Sequence, residues 1–427
     1  MAIALAKSRE ISPARLAAFK ILQQVEGGAF SSVLLAAEEP RLQAVDRALC
    51  HELVLGSLRW RLLLDKIIEH FSKHRIESLD LPVRIALRLG LYQLRFLTRI
   101  PGRAAVNESV NLVRMARLSS AAAFVNAVLR RAVREPEYDP AVEVSDVLAK
   151  IAVETSHPVW MIERWSKSFG LEEAVAFAHA NNLVPPTTFR VVGHGEALSK
   201  LNAAGATLQS SHVVEGAWRV SGATSLLREL SAAGEIYLQD EASQLVAQLL
   251  AAKPGERVLD LCAAPGGKTT MIADRTGDRA LVIAADRSAT RMETVVATTR
   301  LHQLEGIKPI ILDATQRLPF CQESFDKVLV DAPCSGTGTL RRNPEIRWRL
   351  SPEDIPILAE QQKRILRNAL EMVKPGGRLV YSTCSVEREE NEDVIAECGL
   401  SPLETIRTWP HREGCDGFFM AVFERGA

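Results

Sequence analysis

From residue 12 to about residue 134 the apolar positions recur three and four residues apart, the spacing that gathers them on one face of an α-helix. Ser12-Pro13 supplies a start signal, a hydroxyl residue at the cap position with proline in the first turn. Leu16, Phe19, Ile21, Leu22 and Val25 follow, and Gly27-Gly28 ends the run. The blocks Asp46–Leu64, Leu81–Phe96, Val106–Leu118 and Ala121–Val133 repeat the pattern without strand-like alternation. Together they predict an all-helical bundle of about 130 residues.

Glu135 to Pro140 is polar and carries two prolines, which reads as a linker. Residues 145–180 are again helical and include His157-Pro158-Val159-Trp160. The pattern then changes: Thr187–Val192 reads as a strand, Glu196–Ala203 as a helix and Trp218–Val220 as a short strand, a small α+β module. From about residue 240 short apolar strands (Val258–Leu261, Leu281–Ala285, Pro309–Leu312, Lys327–Val330, Arg378–Tyr381) alternate with helical segments at 240–252, 268–275, 288–302, 353–373 and 387–396. That alternation predicts a Rossmann-like α/β domain with a parallel, doubly wound sheet. The expected domains are therefore 1–140, 141–238 and 239–427.

A chain of 427 residues exceeds what one hydrophobic core usually serves, in keeping with several domains. The 52 basic and 52 acidic residues cancel, so overall charge does not announce a polyanionic partner. Locally, residues 1–140 carry 21 Lys and Arg against 14 Asp and Glu, whereas residues 236–427 carry 24 against 28. A basic front on a near-neutral body suits nucleic acid, although a solvated Arg-rich face has the same composition. Seven cysteines, with no C-x-x-C pair and no zinc spacing, indicate free thiols, no metal site and a cytoplasmic protein. Met1–Lys7 is apolar but lacks a positive leader and a long apolar core, and no apolar run approaches the ~18 residues of a spanning helix. The expectation is a monomer that is neither secreted nor embedded in a membrane.

Four motifs carry chemistry. In Asp260-Leu261-Cys262-Ala263-Ala264-Pro265-Gly266-Gly267-Lys268-Thr269 a strand runs into a glycine turn that opens a helix, letting a ligand approach the backbone. Gly267-Lys268-Thr269 matches the end of a nucleotide-binding P-loop, but Cys262 stands where its first glycine belongs, and the dinucleotide pattern G-x-G-x-x-G is absent. S-adenosyl-L-methionine, which has no pyrophosphate to cradle, tolerates looser glycine spacing; a purely structural turn is the alternative. Asp286, at the end of the next strand, suits ribose hydroxyls, and Asp313, after the third, suits an adenine edge, though either residue alone equally suits a helix cap or loop. Asp331-Ala332-Pro333-Cys334 follows the fourth strand, so Asp331 and Cys334 should face the cleft. Arg341, Arg342, Arg347, Arg349 and Trp348 come next, a set that suits phosphates and stacked bases, with ordinary salt bridges to Glu345 or Glu353 equally compatible. Tyr381-Ser382-Thr383-Cys384-Ser385 delivers a second cysteine to the same sheet edge.

These stretches at 260–269, 331–349 and 383–385 resemble the signature motifs of the RNA 5-methylcytosine methyltransferases, the NOL1/NOP2/Sun group. Residues 12–134, and Ala123-Phe124-Val125-Asn126-Ala127-Val128-Leu129-Arg130 in particular, resemble the antitermination factor NusB. A NusB-like front on such a catalytic domain is similar to the bacterial members that act on 16S ribosomal RNA. The resemblance implies a class I methyltransferase fold, S-adenosyl-L-methionine as cofactor and small-subunit rRNA as partner. It implies that Cys262, Ala263, Ala264, Pro265, Gly266, Gly267 and Lys268 line the cofactor with Asp286, Asp313 and Asp331, that Cys384 is the nucleophile, and that Cys334 assists release.

The chemistry fits those residue types. Carbon 5 of cytosine is a poor nucleophile until a thiolate adds to carbon 6 and makes the ring an enamine. The thiolate needs a cationic or hydrogen-bonding setting, for which Lys268 and the arginines at 341–349 are the candidates, and Asp331 fits a proton donor at N3 if burial raises its pKa. Three competitors remain. Methyltransferases of exocyclic amines or proteins carry Asn/Asp-Pro-Pro-Tyr/Phe where this chain has Asp331-Ala332-Pro333-Cys334. A Pro-Cys nucleophile of the DNA cytosine methyltransferase kind would be Cys334. A non-catalytic RNA-binding assembly factor would also use the basic front.

Overall fold

The computed structural model describes residues 11–193 and 195–426, so the apolar stretch Met1–Lys7 lies outside the described residues. The chain forms two compact units, one of residues 1–183 with 340–349 and one of 184–339 with 350–427. In this division residues 141–183 and 340–349 fall with the helices, where the sequence reading grouped 141–183 with the small module and 340–349 with the last domain.

The first unit is built from Pro13–Glu26, Ser31–Glu38, Ala44–Arg59, Arg61–Ser72, Leu81–Phe96, Gly102–Met115 and Ala122–Arg134, continued by Val147–Thr155, Val159–Phe169 and Leu171–Ala180. The apolar faces of the first seven helices meet in one core that includes Phe19, Leu53, Leu64, Ile68, Ile85 and Leu129. The stretch predicted as one helix over 46–64 is two. Trp60 leaves helical geometry (φ −102°, ψ 18°) and its ring stacks on Phe96 at 4.9 Å, so packing overrides the local periodicity. Ser12 occupies the cap position but makes no side-chain cap bond. Its Oγ instead accepts from Arg15 Nη1 at 2.9 Å, and its backbone N–H donates to Glu108 Oε2 at 2.9 Å. Buried Arg88 is held by both oxygens of Asp65 (2.6 and 2.9 Å) and by Glu26 (2.9 Å), so its charge is not left unpaired.

The arginine segment Leu340–Arg349 is part of this unit, and several of its side chains bond inside the protein. The side chain of Arg347 is 1% exposed and donates to the carbonyls of Arg59 (3.0 Å), Ser156 (3.0 Å) and Asn181 (2.9 Å) and to Asn182 Oδ1 (2.9 Å). Trp348 Nε1 donates to Leu58 O at 2.7 Å, and Arg349 donates to Val25 O at 3.2 Å and to Ala29 O. Glu345 Oε1 accepts from the N–H and hydroxyl of Ser31 at 2.9 and 2.8 Å. Arg347, Trp348 and Arg349 thus satisfy the open carbonyls of helix ends and turns rather than presenting a free cationic face.

The second unit opens with the small module. Strands β1 (Thr187–Val191), β2 (Thr207–Ser210), β3 (Ala217–Ser221) and β4 (Ile236–Leu238) form an antiparallel sheet in the order β2-β3-β1-β4, crossed by helices Ala197–Ala203 and Thr224–Ala232. Phe189, Leu201, Leu230 and Ile236 fill its core. The large sheet follows: β5 (Arg257–Asp260), β6 (Leu281–Asp286), β7 (Ile307–Ile311), β8 (Phe325–Asp331), β9 (Val373–Thr383), β10 (Glu404–Thr408) and β11 (Phe418–Glu424), in the order β10-β11-β9-β8-β5-β6-β7. The five strands β5 to β9 are parallel, as predicted. β11 pairs antiparallel with both β9 and β10 and makes the sheet mixed, an addition to the expected all-parallel sheet. The unbroken apolar run Phe418–Phe423 has no alternation to mark it as a strand, and Glu404–Thr408 is a short polar edge. Strand order reverses between β5 and β8, which opens a crevice at their carboxyl ends.

Candidate active site

The crevice is shaped by the glycine turn after β5. Gly266 has φ +106°, and a side chain there would stand 3.2 Å from Val295 Cα; one at Gly267 would meet Tyr237 at 2.9 Å. Glycine is therefore required by backbone conformation at the first position and by close packing at both. A cavity of about 180 Å³ lies above the turn, lined by Cys262, Ala263, Ala264, Pro265, Gly267, Lys268, Asp260 and Asp331 on the sheet side. Tyr237, Leu238, Gln239 and Ser243 close it from the strand and helix start of the preceding module. Those four were not singled out in the sequence. The available signal was Gln239-Asp240, where a strand ends and Asp240 caps the next helix by accepting from Ala242 N at 2.9 Å.

Two buried acceptors on residues of this lining, Asp260 Oδ1 and Gln239 Oε1, have no hydrogen-bond partner among the described residues. Asp260 Oδ2 accepts from Thr269 Oγ1 at 2.7 Å. Burial, with the Thr269 bond working against it and Asp331 adding to it, pushes the Asp260 carboxyl up to about 7. Unpaired buried acceptors facing a cavity call for a ligand with N–H or O–H donors, as the amino and ribose groups of S-adenosyl-L-methionine provide. Burial and the surrounding Asp260, Asp331 and Asp286 push the Cys262 thiol well up, so it serves as a neutral lining group.

Asp286 is buried. Its Oδ2 accepts from Ala264 N at 3.3 Å and its Oδ1 from Ser288 N at 2.9 Å, which fastens the glycine turn to the end of β6. Asp313 is exposed beyond the end of β7. Its Oδ1 takes the N–H and hydroxyl of Thr315 at 2.9 and 2.7 Å, bonds that hold its carboxyl below the usual range. It does not line the cavity.

Asp331 ends β8. Lys268 Nζ lies 2.7 Å from its Oδ2, and Ser382 Oγ donates to its Oδ1 at 2.8 Å. The carboxyl is a partnered group beside an ammonium. Burial opposes the charge of Lys268, but Asp331 and then Cys384 hold the ammonium above its ordinary range. Lys268 is thus the cation of this cleft, the role also considered for the arginines at 341–349.

The two cysteines meet. Cys334 Sγ and Cys384 Sγ are 3.4 Å apart, one on the loop after β8 and the other directly after β9. The hydrogen bond to Cys384 first, and burial second, push the Cys334 thiol well up. The shift keeps the proton on Cys334, while either sulfur can be the donor across the contact. The loops are joined again where Gly338 N donates to Cys384 O at 2.9 Å and Val386 N to Thr337 Oγ1 at 3.1 Å. All seven cysteines are free thiols, and among the described residues no His, Cys, Asp and Glu cluster could hold a metal and no helix is long and apolar enough to cross a membrane.

Comparison with known proteins adds an independent line. The model of the 16S rRNA methyltransferases RsmB/F matches residues 247–399, that of the NusB family residues 12–134, and that of the RsmF/B-like ferredoxin-like domain residues 157–226. A probable ribosomal RNA small subunit methyltransferase B of Bacillus subtilis is 34% identical, with 95% of this chain and 97% of the relative covered. Ribosomal RNA small subunit methyltransferase B of Pseudomonas putida is 35% identical over the same shares, 95% and 97%. The crystal structure of PH0851 superposes with a TM-score of 0.82 at 28% identity, covering 97% of this chain and 99% of that one.

Proposed function

Since this chain belongs to the RsmB/F family of 16S rRNA methyltransferases, we propose that it methylates carbon 5 of one cytosine in small-subunit rRNA through a covalent bond from Cys384 to carbon 6. The observation that carries the assignment is the 3.4 Å approach of Cys334 and Cys384 at the carboxyl edge of the sheet that also forms the Lys268–Asp331 cleft. S-adenosyl-L-methionine, held by the 262–268 turn, Asp286 and the Gln239 side of the cavity, supplies an electrophilic methyl group when bound.

The residues divide the work as follows. Cys384 loses its proton to solvent, with the Cys334 sulfur in contact and the Lys268 ammonium in the same cleft. Addition of that thiolate to carbon 6 forms a C–S bond and sends electrons toward N3, where the Lys268–Asp331 pair supplies the proton or hydrogen bond that the charge requires. Carbon 5 then takes the methyl group, and the proton lent to N3 returns to the Lys268–Asp331 pair. Once Cys384 is a neutral thioether, its hydrogen bond and charge no longer hold the Cys334 proton, and with burial and Glu390 alone opposing it Cys334 loses that proton to solvent more readily. The Cys334 thiolate takes the hydrogen from carbon 5, the C–S bond breaks, and its electron pair returns to Cys384. The target base has to leave its stack first, at a cost of a few kcal/mol.

The raised Cys334 thiol is a poor source of thiolate, which supports Cys384 as the nucleophile. Cys384→Ala is expected to abolish 5-methylcytosine formation on unmethylated small-subunit rRNA while cofactor affinity, read by calorimetry, stays within about twofold of the parent. Methylation by that variant would remove Cys384 from the mechanism.

A further inference from the structure

The two cysteine loops share one buried anchor outside the residues discussed so far. Glu390, just past β9, is 0% exposed. Its Oε1 accepts from Ser335 N at 2.8 Å and from Gln362 Nε2 at 2.9 Å, and its Oε2 accepts the hydroxyls of both Ser335 and Ser385. Ser335 follows Cys334 and Ser385 follows Cys384. Gln362, on helix Asp354–Met372, also donates to Pro333 O at 2.9 Å, and Tyr381 OH donates to Glu390 O at 2.6 Å. Among the described residues Glu390 has no ion-pair partner, and neutral donors alone stabilise its carboxylate. Burying a carboxylate without a cation is costly. A neutral side chain would serve packing at lower cost, so the carboxylate needs another reason to be there.

We propose that Glu390 is a positioning residue for methyl transfer, a clamp that holds the Cys334 and Cys384 loops on one carboxylate so that their sulfur atoms stay in contact. This rests on the two-cysteine reading above. The chemistry of the acceptor is specific. A carboxylate oxygen can take both serine hydroxyls while the other takes a backbone N–H and an amide N–H; an amide side chain has only one acceptor and turns two donors against its own NH₂. The negative charge also lies on the side of Cys334, where it helps keep that thiol protonated.

The test is Glu390→Gln in the full chain, assayed on unmethylated small-subunit rRNA and probed by iodoacetamide labelling mapped to each cysteine. The clamp predicts a fall in kcat of at least about tenfold with KM for S-adenosyl-L-methionine within about twofold, since small misplacements at the reacting atoms are expensive. It also predicts that labelling at Cys334 rises relative to Cys384. A kcat within about twofold of the parent would overturn it, as would labelling that rises equally at both cysteines, the mark of general loosening. If Glu390→Gln does not fold, Ser335→Ala and Ser385→Ala serve instead. Tethers to one carboxylate predict a combined loss smaller than the product of the single losses, and independent losses would overturn the clamp. Cys384→Ala run alongside separates the two readings. If it still methylates, the two-cysteine mechanism falls and the clamp with it; if it is inactive while Glu390→Gln is fully active, only the clamp falls.

Discussion

Cys334 Sγ lies 3.4 Å from Cys384 Sγ across 50 residues of chain, because β8 and β9 are parallel neighbours whose carboxyl ends open on the same side. In a parallel pair the loops that follow each strand start level with one another, so a residue shortly after Asp331 and one shortly after Thr383 are brought together by register alone. Removing either thiol has a different consequence.

Cys334→Ala leaves the Cys384 nucleophile in place but takes away the base for the carbon 5 hydrogen. Turnover should fall about a hundredfold, the usual scale for a general base. A protein–RNA species that survives a denaturing gel should accumulate in the presence of S-adenosyl-L-methionine. Absence of that species, with normal turnover, would take Cys334 out of the release step.

Asp286→Ala removes the acceptor that ties Ala264 N and Ser288 N together, as well as the proposed ribose contact. Hydrogen bonds to a charged partner contribute about 1.5–3 kcal/mol, so cofactor affinity should drop by about ten- to a hundredfold. Calorimetric titration with S-adenosyl-L-methionine reads this directly, and an unchanged affinity would exclude the ribose role.

Asp260 gives the fold a pH dependence. Its carboxyl titrates at about 7 in the folded protein, against about 3.9 in an unfolded chain. Between those values the folded state binds the additional proton, so this group's contribution to stability falls as pH rises, and its full cost is present above about 7. Asp260→Asn keeps an acceptor for Thr269 and removes the titration. The gain of the variant over the parent in urea unfolding without cofactor should grow by about 2–4 kcal/mol from pH 4.5 to 7.5. A constant difference across that range would show that burial of Asp260 does not control it.

Arg347→Met would leave the carbonyls of Arg59, Ser156 and Asn181 and the side-chain oxygen of Asn182 without their donor. Each buried acceptor left open costs about 1–3 kcal/mol. The variant should lose at least about 3 kcal/mol in denaturant unfolding, far more than removal of a surface cation would. A loss below about 1 kcal/mol would mean that the guanidinium is dispensable to the helical unit.

The sequence by itself determined most of the elements and their kind. Helical spacing from Leu16 to Val133, the alternation of strands and helices after residue 240, and the placement of Asp260, Asp286, Asp331 and Cys384 at or just past strand ends are local patterns, and local patterns follow from backbone periodicity and turn chemistry. Tertiary structure alone decided what depends on residues far apart in the chain. Strand order joined Cys334 to Cys384 and Lys268 to Asp331. Packing sent Arg347 and Trp348 into the helical unit and left Asp313 exposed in its own turn. The antiparallel strand Phe418–Glu424 became visible only through its pairing with β9. The Gln239 side of the cavity and the carboxylate of Glu390 belong to the same class. A buried polar group reveals its use only when its donors, drawn from several elements, stand around it.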